Sequence, residues 1–75
     1  GTAIEPQSNV DRALALLRHL AQNPGWHGVR ALGGDLALSP STVYRLLDAL
    51  VRAGFAQHDE STGRYAIGAG AVQLG

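Results

Sequence analysis

A chain of 75 residues with a formal net charge of zero and no cysteine suits one small domain and excludes both a disulfide framework and a thiolate zinc site. The neutral balance also excludes the blanket basic character of a non-specific nucleic-acid binder, so any contact with a polyanion must come from where the charges are placed. No apolar run approaches the ~18 residues of a membrane span and the amino terminus lacks the basic-then-apolar order of a secretory signal, so a soluble, cytoplasmic protein is expected.

GTAIEPQ, residues 1–7, reads as a flexible arm, because Pro6 and the lack of periodicity give it nothing to bury. Ser8 and Asp11 then form an S-x-x-D capping box ahead of Val10, Ala13, Leu14, Leu17, Leu20 and Ala21 at helical spacing, which predicts a first helix over Asn9 to Gln22. Leu16 lies about 100° from the centre of that stripe and is expected to be partly exposed, packed on a linker helix or forming a dimer contact. NPGWHG breaks the helix, with Trp26 expected at the edge of the core beneath the turn.

A second helix, short and partly frayed, is predicted from Val29 to Ala37, since Gly33 and Gly34 each cost about 1 kcal/mol relative to alanine inside a helix. The third helix has both ends marked: Ser39 can cap it, Pro40 suits its first position and Gly54 can adopt the left-handed stop. Its Val43, Leu46, Leu47, Leu50 and Val51 make one apolar stripe. After Gly54 the period drops to two, and FAQHD, ESTG, RYAIG reads as two strands and a turn, with Phe55, Tyr65 and Ile67 inward. GAVQLG opens a further helical element, so the chain is expected to be a piece of a longer protein. The fold class is α+β: a small winged helix-turn-helix of three helices, a two-stranded β-hairpin wing and the start of a linker helix, with the folded domain over residues 8–68 and the linker over 69–75.

At ~100° per residue, Ser41, Arg45 and Arg52 fall within about 40° of one another, opposite the apolar stripe of the third helix. Ser41 and Thr42 sit in its first turn, where hydroxyls and free backbone N–H groups favour a phosphate, and Arg45 one turn further can reach a base edge or the next phosphate. All six basic residues are arginine (Arg12, Arg18, Arg30, Arg45, Arg52, Arg64), and each guanidinium can make a forked contact to phosphate or guanine. Codon bias in a GC-rich genome would also remove lysine. Taken alone, hydroxyls near a helix start are common caps and an exposed arginine is usually just solvated; the preceding short helix and the following hairpin with Arg64 at its tip are what favour DNA.

Three runs carry a resemblance: S-N-V-D-R-A-L-A-L-L from Ser8 to Leu17, S-T-V-Y-R-L-L-D-A-L from Ser41 to Leu50, and G-F-x-x-x-D-x-x-T-G-R-Y-x-I-G from Gly54 to Gly68. In that order and spacing they resemble the IclR-type bacterial transcription regulators, over about residues 8 to 75. The resemblance implies an amino-terminal winged helix-turn-helix that binds double-stranded operator DNA, at a palindromic site, as a homodimer. It also implies a linker helix and an effector-binding domain absent from this chain, through which alone a small molecule would act. It places Ser41, Thr42, Tyr44 and Arg45 at recognition-helix positions that face DNA, and Arg64 at the arginine of the wing. The DNA-binding set is thus Ser39, Ser41, Thr42, Tyr44, Arg45, Arg52 and Arg64. Two departures, Ala37 where similar proteins have a glycine and the Gly33–Gly34 pair, bear on the length of the second helix and the tilt of the third.

No cofactor or metal is expected: His19, His27 and His58 lack ligand spacing, and no base or nucleophile is placed for an enzyme. The run G-A-G-A-V-Q from Gly68 to Gln73 only faintly resembles a dinucleotide fingerprint and reads as a strand-to-linker turn. Asp59 and Glu60 make the wing locally acidic, so a wing approaching DNA must use Arg64 and backbone groups with the acids turned away. The rival reading is a winged helix used as a protein-interaction or dimerisation module, which zero net charge permits.

Overall fold

The computed structural model describes residues 8–70, and the arm at 1–7 and most of the linker, 71–75, lie outside the described residues. Three helices precede one hairpin: α1 Asn9–Gln22, α2 Val29–Leu36, α3 Pro40–Arg52, β1 Ala56–Asp59 and β2 Arg64–Ile67. The strands pair antiparallel in the register Ala56 to Ile67 and Asp59 to Arg64.

Helix α1 starts where its box predicts, with the Ser8 hydroxyl accepting from the Asp11 N–H and the Asp11 carboxylate accepting from the Ser8 N–H. Its buried face differs from the expected one. Leu16 and Leu20 are wholly buried, with Ala13 and Leu17 packed beside them, while Val10 and Leu14 stand 67% and 57% exposed. Leu16 is therefore a core residue and neither a surface nor a dimer contact. The reason is geometric: residues 10, 13, 14, 17, 20 and 21 and residues 13, 16, 17 and 20 are both good 3.6-period stripes, rotated by about 50° from one another. Only the position of α2, α3 and β2 around α1 chooses between them.

Helix α2 ends one residue short of the expected Ala37, which caps it in the left-handed conformation, φ 58° and ψ 43°, with its N–H on the Gly33 carbonyl. Gly33 is buried because the turn folds back over it: a Cβ there would lie 2.7 Å from the Leu38 carbonyl oxygen, and Leu38 N–H donates to the Gly33 carbonyl at 2.9 Å. The turn seats α3, whose Val43, Leu46, Leu47 and Leu50 join Leu16, Leu20 and Leu32 in one core.

The hairpin closes the remaining side. Tyr65 is buried as expected, together with Ala56 and Ala66, and Phe55 and Ile67 are half-buried against the core. A connection invisible to local pattern joins the hairpin to the loop after α1: His27 and Tyr65 exchange two backbone hydrogen bonds of 2.8 Å each. This bridge carries the loop outward, and Trp26 is 47% exposed instead of tucked beneath the turn. After β2 the backbone turns helical at Ala69, with the Gly68 and Gly70 amides on the Phe55 and Gly54 carbonyls.

Candidate nucleic-acid interface

Helix α3 begins with a compact hydroxyl cluster. The Ser39 Oγ accepts from the Thr42 N–H at 3.3 Å, donates to Thr42 Oγ1 at 2.9 Å and lies 3.3 Å from Ser41 Oγ. Ser39 is thus occupied as the cap, whereas Ser41 is exposed at the helix start. Pro40 at the first position costs no hydrogen bond there, because first-turn N–H groups have no partner in the helix.

One turn on, Arg45 is exposed and has no acidic partner among the described residues. Arg52, two further turns along the same side, is exposed too, but its guanidinium meets Asp48 at 3.4 Å. Such an i,i+4 surface pair is weak, on the order of 0.3–0.5 kcal/mol, so a stronger anion can displace it. Tyr44 is 56% exposed. Its ring makes an edge contact with Tyr65, centroids 6.5 Å apart, and Tyr65 stacks on His58 of β1 at 4.4 Å. The three rings couple α3 to the wing. Burial, reinforced by Tyr44 and Asp48, raises the Tyr65 phenol above its ordinary pKa.

The wing tip resolves the acidity expected there. The Asp59 carboxylate accepts from the Ser61 hydroxyl at 2.7 Å, the Ser61 N–H at 3.0 Å and the Thr62 hydroxyl at 3.0 Å. These bonds, the Ser61 hydroxyl first, hold its pKa below the ordinary carboxylate value. Asp59 is engaged in building the turn, and Arg64 opens β2 exposed beside it. The D-x-S-T spacing was the available signal for this Asx-type turn.

The structure brings Ser39, Ser41, Thr42 and Arg45 together on the first turns of α3 and leaves Arg52 further along it and Arg64 on the wing. One neighbour went unnoticed in the sequence. Arg12 of α1 lines a cleft of about 250 Å³ with Asn9, Thr42, Arg45 and Leu46.

Three helices with the last one presenting a hydroxyl-and-arginine face, followed by a two-stranded wing, define a winged helix-turn-helix DNA-binding fold. The chain matches the IclR helix-turn-helix domain over residues 9–60. It is 34% identical over 67 residues to the glycerol operon regulatory protein of Streptomyces coelicolor, covering 89% of this chain and 26% of that protein. With the HTH-type transcriptional repressor AllR of Salmonella paratyphi A it shares 34% identity over 74 residues, 99% of this chain and 27% of the relative. The solved IclR family transcriptional regulator from Brucella abortus superposes with a TM-score of 0.82 at 25% identity, covering 99% of this chain and 30% of that one. The chain belongs to the IclR family of transcription regulators and carries that family's helix-turn-helix domain. It spans about a quarter of the length of the curated relatives it matches. Among the described residues no helix is long and apolar enough to cross a membrane.

Proposed function

We propose that this domain binds double-stranded operator DNA sequence-specifically, with α3 in the major groove, Ser41 and Thr42 on phosphates, and Arg45 reading a base or anchoring the next phosphate. Tyr44 and Arg52 assist at the edges of the groove, Ser39 fixes the first turn, and Arg64 serves the wing. The observation that carries the reading is the division of α3: Val43, Leu46, Leu47 and Leu50 are buried, while Ser41 and Arg45 on the other side are exposed and Arg45 is free of any acid among the described residues. An arginine fork fits guanine in the major groove, and hydroxyls set register on the backbone. The domain works as a homodimer on a palindromic site in the cytoplasm, without catalytic activity, and any effector acts through a separate domain.

Fluorescence anisotropy on a mixed-sequence duplex, wild type beside Arg45→Ala across a salt series, is the test. Arg45→Ala is expected to weaken binding by about 1–3 kcal/mol and relax preference at one base pair if the guanidinium reads guanine, or to weaken all sequences alike and flatten the salt slope by about one if it meets phosphate. Equal binding by both proteins at every salt removes Arg45 from the mechanism. The reading as a protein-interaction module has a surface of its own in the exposed Val10 and Leu14, one turn apart on α1. Absence of DNA binding even with two tethered copies would put it first.

A further inference from the structure

The cleft between the first turns of α1 and α3 is lined by two arginines and two neutral polar side chains. Its lining is Asn9, Arg12, Thr42, Arg45 and Leu46, and it contains two guanidinium groups and no carboxylate. The Arg12 Nε is buried and has no hydrogen-bond partner, an arrangement that is costly unless something occupies the site. Neither arginine pairs with an acid among the described residues. The nearest one in sequence, Asp11, accepts from the Ser8 N–H in the capping box.

The remaining polar lining groups, Thr42 and Asn9, can donate as well, and Leu46 is the one apolar wall. Thr42 Oγ1 accepts the Ser39 hydroxyl proton, which leaves its own proton free to donate. The Asn9 amide makes no hydrogen bond within the described residues and sits at the first position of α1, where the backbone N–H is also unpaired. Volume agrees: about 250 Å³ accepts a phosphate group and several waters, each of which occupies about 30 Å³ in the liquid.

We infer that this cleft seats one backbone phosphate of the bound DNA, clamped between Arg12 of α1 and Arg45 of α3. The inference rests on the DNA-binding reading above and adds Arg12 and Asn9 to the surface that reading names. The clamp ties α1 to the strand beside the groove that α3 enters, so that register depends on two elements. Arg12 is a positioning residue that contacts the backbone and carries no base preference.

The test pairs Arg12→Met, which keeps the apolar stem and removes the charge, with Arg12→Lys, which keeps the charge and loses Nε. Anisotropy on a mixed-sequence duplex should show Arg12→Met binding about tenfold more weakly at low salt. Its log–log salt slope should be shallower by about 0.9, the signature of one lost phosphate contact. Arg12→Lys should keep the wild-type slope and regain only part of the affinity. A duplex scanned with single uncharged methylphosphonates should have one position at which neutralisation weakens wild type about tenfold and has no further effect on Arg12→Met. The scan on wild type and Arg12→Lys stands if Arg12→Met does not fold.

Unchanged affinity and slope in Arg12→Met, while Arg45→Ala weakens binding, would overturn the phosphate seat and leave the α3 reading intact. Wild type that binds no duplex at any salt would overturn both. If inorganic phosphate shifts the Arg12 Nε–H resonance while Arg12→Met binds DNA normally, the cleft holds free phosphate and the DNA assignment is wrong.

Discussion

The adjacent glycines of α2 should respond oppositely to the same substitution. Gly34 is exposed, and a Cβ built on it meets nothing within 4 Å. Gly34→Ala therefore removes only the backbone entropy of a helical glycine, and about 1 kcal/mol of stability should be gained. For a domain of this size that is a rise in Tm of about 4–8 °C. Gly33→Ala gains the same propensity, but its Cβ would sit 2.7 Å from the Leu38 carbonyl oxygen and 3.6 Å from Val43 Cγ2. The first contact is with backbone, so the turn into α3 has to move, and overpacking of this kind costs about 1–3 kcal/mol. The net for Gly33→Ala is a loss of about 1 kcal/mol, and the two variants should differ by about 2 kcal/mol. Urea titrations and thermal melts of the three proteins measure this directly. Two alanines that stabilise equally would refute the close approach of the α2–α3 turn to Gly33.

Two further outcomes follow from the core. Leu16→Ala should destabilise by about 2–5 kcal/mol in the same urea titrations, as for a wholly buried leucine, whereas a surface or dimer residue would cost far less and show concentration dependence. Tyr65 has a folded pKa above its ordinary value near 10, so its contribution to stability is complete below about pH 10 and falls as pH rises past it, because the unfolded chain ionises first. Melts from about pH 8 to 11 should show that decline, and Tyr65→Phe should flatten it.

Elements were largely legible because each carries its own punctuation. Ser8 with Asp11, Ser39 with Pro40, and the T-G of the wing turn mark ends by local hydrogen bonding and backbone conformation, which a short window of sequence contains. The face of α1 was not legible, since Leu14, Leu16, Leu17 and Leu20 satisfy two stripes and only the neighbouring elements select one. Trp26 was misplaced for a related reason, as the His27–Tyr65 bridge joins residues 38 apart in the chain. The exposed face of α3 followed from its angular pattern, because one amphipathic helix encodes both its sides. Arg12 could not be joined to Thr42 and Arg45 from sequence, since their nearness is a property of how α1 crosses α3. Ala37 is a local exception: a left-handed cap at a non-glycine residue, strained by about 1–2 kcal/mol, which no local pattern announces and only the glycine of similar proteins at this position hints at.

The two backbone hydrogen bonds between His27 and Tyr65 anchor the wing, at its His58–Tyr65 pair next to the tip, to the loop between α1 and α2. The wing is in consequence a fixed jaw. Its distance from α3 is set by the Tyr44–Tyr65–His58 rings on one side and this bridge on the other, and its tip is held by the hydrogen bonds to the Asp59 carboxylate. On the proposed reading, a duplex seated between α3 and this jaw has to match its span, so the wing would favour a width and curvature of the DNA as well as any base it meets.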